Sequence, residues 1–261
     1  MNKQTLPKTL EKPAEDQPRA ISDLLIKFLE RRDVVTERDR EKLKSLPVTR
    51  QSFGPGEVII PKSRHVTRSC LMVSGMSARC HTVNRSNEET VITALHVPGD
   101  FVDLHGFLLA GLEHTVRSCG KSEVEFVDHS ELRKVTESYP HLTRLLWLST
   151  LIDAAIHRQW LVAAASLRSS AHLAHLISEL HLRLKIVGLA ENDKFQLPLL
   201  QRELAEVLGY SPIHINRAVR DLRDRGILLW SGFDITILKL GALHNLAQFN
   251  SEYLDLECIA R

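Results

Sequence analysis

The densest set of side chains able to read a nucleic acid lies in LLQRELAEVLGYSPIHINRAVRDLRDRGIL, residues 199–228. Ser211 is placed to cap a helix whose first residue is Pro212, where a missing N–H costs nothing. On that helix Ile215, Val219 and Leu222 recur at core spacing, which turns Ile213, His214, Asn216, Arg217 and Arg220 outward together with the cap. The chemistry on offer is base and phosphate recognition. An arginine can give two hydrogen bonds to O6 and N7 of a guanine, asparagine pairs with adenine, and further arginines meet phosphates. Leu204, Ala205 and Leu208 predict a short preceding helix, with Gly209 at the turn, so the segment reads as a helix-turn-helix. Arg217, Arg220, Arg223 and Arg225 alternate with Asp221 and Asp224, as on an ordinary solvated helix face. The residues after Gly226 decide between the two: Ile227–Trp230 and Ile235–Leu238 predict two strands joined by a turn at Ser231–Asp234, the wing of a winged helix-turn-helix.

Other reactive residue types form no comparable constellation. His81, His96, His105 and His114 could each serve as an axial haem ligand, but they lack a diagnostic spacing and no metal site is assigned to them. The four cysteines, Cys70, Cys80, Cys119 and Cys258, include no CxxC pair; this suits a reducing cytoplasm, with the first three read as small buried residues. No Ser/His/Asp order, glycine-rich nucleotide loop or metal signature points to an enzyme.

The elements that position the motif emerge from patterning. The chain has 261 residues, 43% hydrophobic and 25% charged, enough for a buried core. Its 34 basic and 32 acidic residues leave a net charge of +2, so any surface for a polyanion must be local. Residues 1–20, with Pro7, Pro13 and Pro18 among charged residues, predict a disordered arm. Short helices are expected next, over 21–46, capped by Ser22 and Thr36 and stopped by Pro47. Strands are expected at Val58–Ile60, Cys70–Val73, Thr90–Leu95 and Val124–Val127. Their corners fall at Gly54–Gly56, Ser74–Gly75, Asn84–Asn87 and Pro98–Gly99. After Pro140 the period is helical to about Val187, interrupted near Ser166–Ser170, with a second helix at His172–Ile186. Leu145, Leu148, Ile152, Ala155 and Val162 form a seam on the long helix, expected to pair with a second copy of the chain. The organisation is therefore an arm (1–20), a β domain with N-terminal helices (21–139), a dimerisation helix with a connecting helix (140–187) and a winged helix-turn-helix domain (188–261). No apolar run of about 18 residues is long enough to span a bilayer, and no apolar leader comes after the polar start; a cytoplasmic protein without a membrane partner is expected.

The order of these parts resembles the Crp/Fnr superfamily of bacterial regulators from about Leu24 onward. PGDFVDLHGFLL at 98–109 and SPIHINRAVRDLRDRGIL at 211–228 carry the resemblance. It implies an α+β fold: an N-terminal antiparallel β-roll of the cyclic-nucleotide-binding type, a long dimerisation helix and a C-terminal winged helix-turn-helix. It also implies Pro212–Asp224 as recognition helix, Arg217 as guanine reader, and LGALHNLAQFNSEYL at 240–254 as an additional C-terminal helix. The implied partners are a pseudo-palindromic double-stranded operator, a second copy of the chain and RNA polymerase. Where cyclic-AMP-binding members have a Gly-Glu and an Arg-Ser or Arg-Thr pair, this chain has Asp103-Leu104 and Leu112-Glu113, with Arg117-Ser118 as a displaced second pair. Cyclic AMP in its usual cradle is therefore not expected. Nor is an iron–sulfur cluster, because the first cysteine is Cys70 and no N-terminal cysteine group precedes it. The effector stays unknown. Leu200 stands where the family often has a Ser or Thr cap, depriving Glu203 of its capping-box partner. The alternative reading is a cyclic-nucleotide-type binding module without DNA function.

Overall fold

The computed structural model describes residues 19–84 and 89–261. Of the arm expected over 1–20, residues 1–18 lie outside the described residues, as does all of the Asn84–Asn87 corner except Asn84. Arg19 and Ala20 depart from that expectation: they form strand β1 (Arg19–Ala20), antiparallel to Val48 and Pro47.

Helices α1 (Asp23–Glu30) and α2 (Glu37–Lys44) start where the caps predict. Ser22 Oγ accepts from the Leu24 N–H at 3.3 Å, and Thr36 forms a reciprocal capping box with Asp39. Pro47 ends the helical stretch by opening strand β2 (Pro47–Phe53). The roll continues with β3 (Val58–Ile60), β4 (Arg68–Ser74), β5 (Ser77–Asn84), β6 (Glu89–His96), a 3₁₀ turn at Leu104–Phe107, β7 (Thr115–Ser118) and β8 (Ser122–Asp128). These strands pair antiparallel in two sheets, ordered β1-β2-β8-β4 and β3-β7-β5-β6. Ile59, Met72, Val102, Val116, Val124 and Phe126 fill the space between them. Gly75, with φ of +74°, makes the β4–β5 corner; a Cβ there would lie 2.3 Å from the Lys121 carbonyl oxygen, so only glycine fits.

Helix α3 (His129–Ser138) leads into α4 (Pro140–Ser166), whose 27 residues span about 40 Å at 1.5 Å per residue. The interruption falls at Leu167–Arg168, and α5 (Ser169–Ile186) runs on into the C-terminal domain. Of the seam expected on α4, Val162 is exposed and Leu148 and Ala155 are half-buried, but the other two residues are corrected. Leu145 and Ile152 are buried against the chain's own roll, with Leu142, Leu146 and Ile156 beside them. A different stripe faces outward: Trp147, Leu151 and Leu161 are exposed, spaced with Ala154 and Arg158 at alternating four- and three-residue steps. Such a helix has two apolar faces, and periodicity alone does not say which one the roll takes.

The C-terminal domain comprises β9 (Lys194–Gln196), α6 (Gln201–Leu208), α7 (Pro212–Asp224), β10 (Leu228–Ser231), β11 (Asp234–Ile237) and α8 (Leu240–Ala247). The helix expected over 240–254 is corrected to α8 alone. Gln248 turns left-handed at φ of +48°, and the chain returns to the roll through a 3₁₀ turn at Glu252–Leu254, where Leu254 is buried against α1 and α4 residues.

Candidate nucleic-acid interface

The sequence around α7 dictates its orientation. Ser211 caps it by accepting from the His214 N–H at 3.4 Å, and Ser211 Oγ also lies 2.7 Å from His214 Nδ1. Ile215, Ala218 and Leu222 are the buried residues; Val219, expected as an anchor, is only half-buried, and the small Ala218 takes the central place against the core. Ser211, Ile213, His214, Asn216, Arg217 and Arg220 are all exposed, so the fold brings every base- or phosphate-reading candidate to one accessible face. Ile213 is 64% exposed, far more than an apolar side chain at the start of a helix requires for folding, and suits contact with a thymine methyl. Arg225 is drawn away from that face by Asp221, at 2.8 Å.

The preceding helix holds α7 at its angle. Leu204, Ala205 and Leu208 bury one side of α6, and Gly209 turns the chain at φ of +70°. Leu200 cannot accept a hydrogen bond through its side chain, yet the Glu203 carboxylate still accepts from the Leu200 N–H at 2.6 Å. Half of the capping box is therefore formed, where the sequence suggested none. The wing pairs Ser231 with Asp234 across a two-residue turn, Gly232 taking φ of +60°, and β9 adds a third strand that local patterning did not disclose.

A buried polar network fixes this domain against the roll. The Glu179 carboxylate on α5 accepts from Tyr253 Oη at 2.8 Å, Trp160 Nε1 at 3.1 Å and Arg183 at 3.0 Å; Arg183 also donates to Asp100 at 2.6 Å and the Leu95 carbonyl at 2.9 Å. Burial raises the Glu179 carboxyl above its ordinary value, with Arg183 opposing. Burial works against the charge of Arg183, but Asp100 and Glu179 hold its pKa above the ordinary value. None of these residues stands out in sequence, because their partners come from the roll, α4, α5 and the C-terminal segment.

The residues compared in sequence with the cyclic-phosphate pairs fall in different surroundings. Asp103 is buried, and its carboxylate accepts from the Cys70 N–H at 2.7 Å. Burial pushes the Asp103 carboxyl up to about 7. Leu104 and Leu112 are buried; Arg117 is exposed, while Ser118 is buried and donates to the Gly120 carbonyl. Arg79 enters from β5 instead, bonded to Asp153 of α4 at 3.0 Å and to the Val102 carbonyl at 2.9 Å. Cys70, Cys80 and Cys119 are buried and Cys258 is exposed, all as free thiols; burial pushes Cys80 up to about 11.

The family described as Crp-like helix-turn-helix domain matches residues 171–246. Among solved structures, FixK2 from Bradyrhizobium japonicum superposes with a TM-score of 0.67 at 23% identity, covering 76% of this chain and 96% of its own. A CooA mutant from Carboxydothermus hydrogenoformans gives 0.57 at 14% identity, covering 77% and 88%. A CRP/FNR-family transcriptional regulator from Thermus thermophilus gives 0.56 at 17%, covering 77% and 99%. No curated protein sequence matches the chain. Residues 171–246 thus form a Crp-like helix-turn-helix domain, and the antiparallel roll and long helix that precede it share the fold of these solved structures.

Proposed function

We propose that this DNA-binding transcriptional regulator acts as a cytoplasmic homodimer on a pseudo-palindromic operator, the two copies of α7 entering successive major grooves about 34 Å apart. The observation that carries the reading is the outward face of α7: the buried Ile215, Ala218 and Leu222 clamp one side, and Ser211, Ile213, His214, Asn216, Arg217 and Arg220 line the other. Arg217, with Asn216 and His214, reads base edges. Arg220, Arg223 and Lys194 meet phosphates and make affinity fall with salt. The exposed Trp147, Leu151 and Leu161 stripe supports pairing of α4 with its copy, because large apolar residues at heptad spacing on a long helix gain most from burial against a twin. A regulator of this kind works through RNA polymerase and needs no catalytic residue of its own. Among the described residues no helix is long and apolar enough to cross a membrane. Selection of bound fragments from random duplex DNA tests the proposal: a two-fold-related motif with half-sites one helical turn apart is expected, and a chain that enriches no sequence contradicts it.

A further inference from the structure

The roll brings together histidines that sequence spacing left unrelated. Strands β5 and β7 pair Cys80 with Thr115, so the next positions, His81 and His114, face each other across the end of the ladder, with Glu113 beside them. Cys80 belongs to the core shared with the C-terminal domain, which by strand alternation sends His81 to the roll side, where Arg79 also lies. One ligand atom each from His81, Glu113 and His114 lies within 4.8 Å of the others. The His114 ring is 5.6 Å from that of His81 and 5.4 Å from that of His105.

Among the described residues, two buried ring nitrogens in this region have no hydrogen-bond partner: Nε2 of His114 and Nε2 of His157, which reaches in from α4. His114 is only 2% exposed, and its other nitrogen has just the 3.4 Å contact with Glu113. An unsatisfied buried nitrogen costs roughly 1–3 kcal/mol, so a folded chain with such nitrogens beside a carboxylate calls for a ligand that accepts their lone pairs. Arg79 is compensated by Asp153, so the carboxylate of Glu113 is free to face a cation.

We propose that His81, Glu113 and His114 bind a divalent first-row transition-metal ion at the rim of the roll, beside the long helix. Two imidazoles and one carboxylate form a borderline donor set suited to Zn²⁺, Co²⁺ or Ni²⁺, and three protein ligands leave a further position for water or an exchangeable group. The site is independent of the DNA-binding reading.

The test is a competition titration of the metal-free full-length chain with Zn²⁺ against a chromophoric chelator at pH 7.5, repeated with Co²⁺ for its visible spectrum. One ion per chain is expected, with cobalt d–d bands and no thiolate charge-transfer band. Glu113→Gln and His81→Ala, both at positions not fully buried, are expected to weaken binding by at least about 100-fold while leaving metal-free thermal unfolding unchanged. His65→Ala, at an exposed histidine elsewhere, leaves it unaltered. The proposal is overturned if the native chain binds no stoichiometric ion, if both ligand variants bind as well as it does, or if a thiolate band assigns the ion to Cys258.

Discussion

Tyr253, in the segment C-terminal to the DNA-binding domain, donates its phenolic hydrogen to the fully buried carboxylate of Glu179 at 2.8 Å. The pair ties the chain's last turn to the middle of α5, where Arg183 continues the link to Asp100 of the roll. Removing the hydroxyl in Tyr253→Phe is expected to destabilise the chain by about 1.5–3 kcal/mol, the usual worth of a hydrogen bond to a charged group. Glu179→Ala should cost more, about 3–5 kcal/mol, because it strips Arg183 of the buried one of its two counter-charges. Urea denaturation of both variants checks the order; equal stability of Tyr253→Phe and the native chain would make the bond incidental.

The two faces of α4 separate assembly from folding. Leu151→Glu, on the outward stripe, is expected to yield a folded monomer by light scattering at micromolar concentration. Ile152→Ala, one residue on but 4% exposed against the chain's own core, is expected to lose about 2–5 kcal/mol of stability and leave assembly intact. Monomeric native protein, with and without DNA, would refute the pairing.

Acid should unfold the chain earlier than its carboxylates alone dictate. Burial, first among the causes, lowers His114 and His175 from 6.5 to about 4 and lowers His96, His105 and His157 in the same direction. The unfolded chain then binds more protons than the folded one between about pH 6.5 and 4. The stability these groups contribute is complete above 6.5 and is lost as pH falls through that window. Denaturant midpoints measured from pH 7.5 to 5 are expected to fall steadily, and a flat profile would mean that these imidazoles are not held neutral.

Local signals carried the sequence reading where they sufficed. Ser22, Thr36, Gly209, Ser211 and Pro212 act through neighbours within a few positions, so helix starts and the helix-turn-helix were legible. Strand β5 was not, since its polar Ser77 and Arg79 are buried only through His96 and through Asp153, 74 positions away from Arg79. β7 is too short for alternation to register, and Pro47, read as a stop, begins β2. The outward face of α7 was predicted residue by residue, with Ala218 for Val219 as the one exchange, because helical periodicity fixes both faces at once.

The most direct test is of Arg217, exposed on the face opposite Ile215 and Leu222. Once selection has supplied an operator, titrations of Arg217→Ala and Arg220→Ala on it and on single-base-pair substitutions separate base reading from phosphate grip. Arg217→Ala is predicted to cost about 1–3 kcal/mol on the operator and to erase preference at one base pair per half-site, while Arg220→Ala weakens all sequences alike and lowers the salt slope by about 1. An Arg217→Ala chain that loses affinity equally on every sequence, with base preference intact, would contradict the assignment of α7 as the element that reads the operator through this residue.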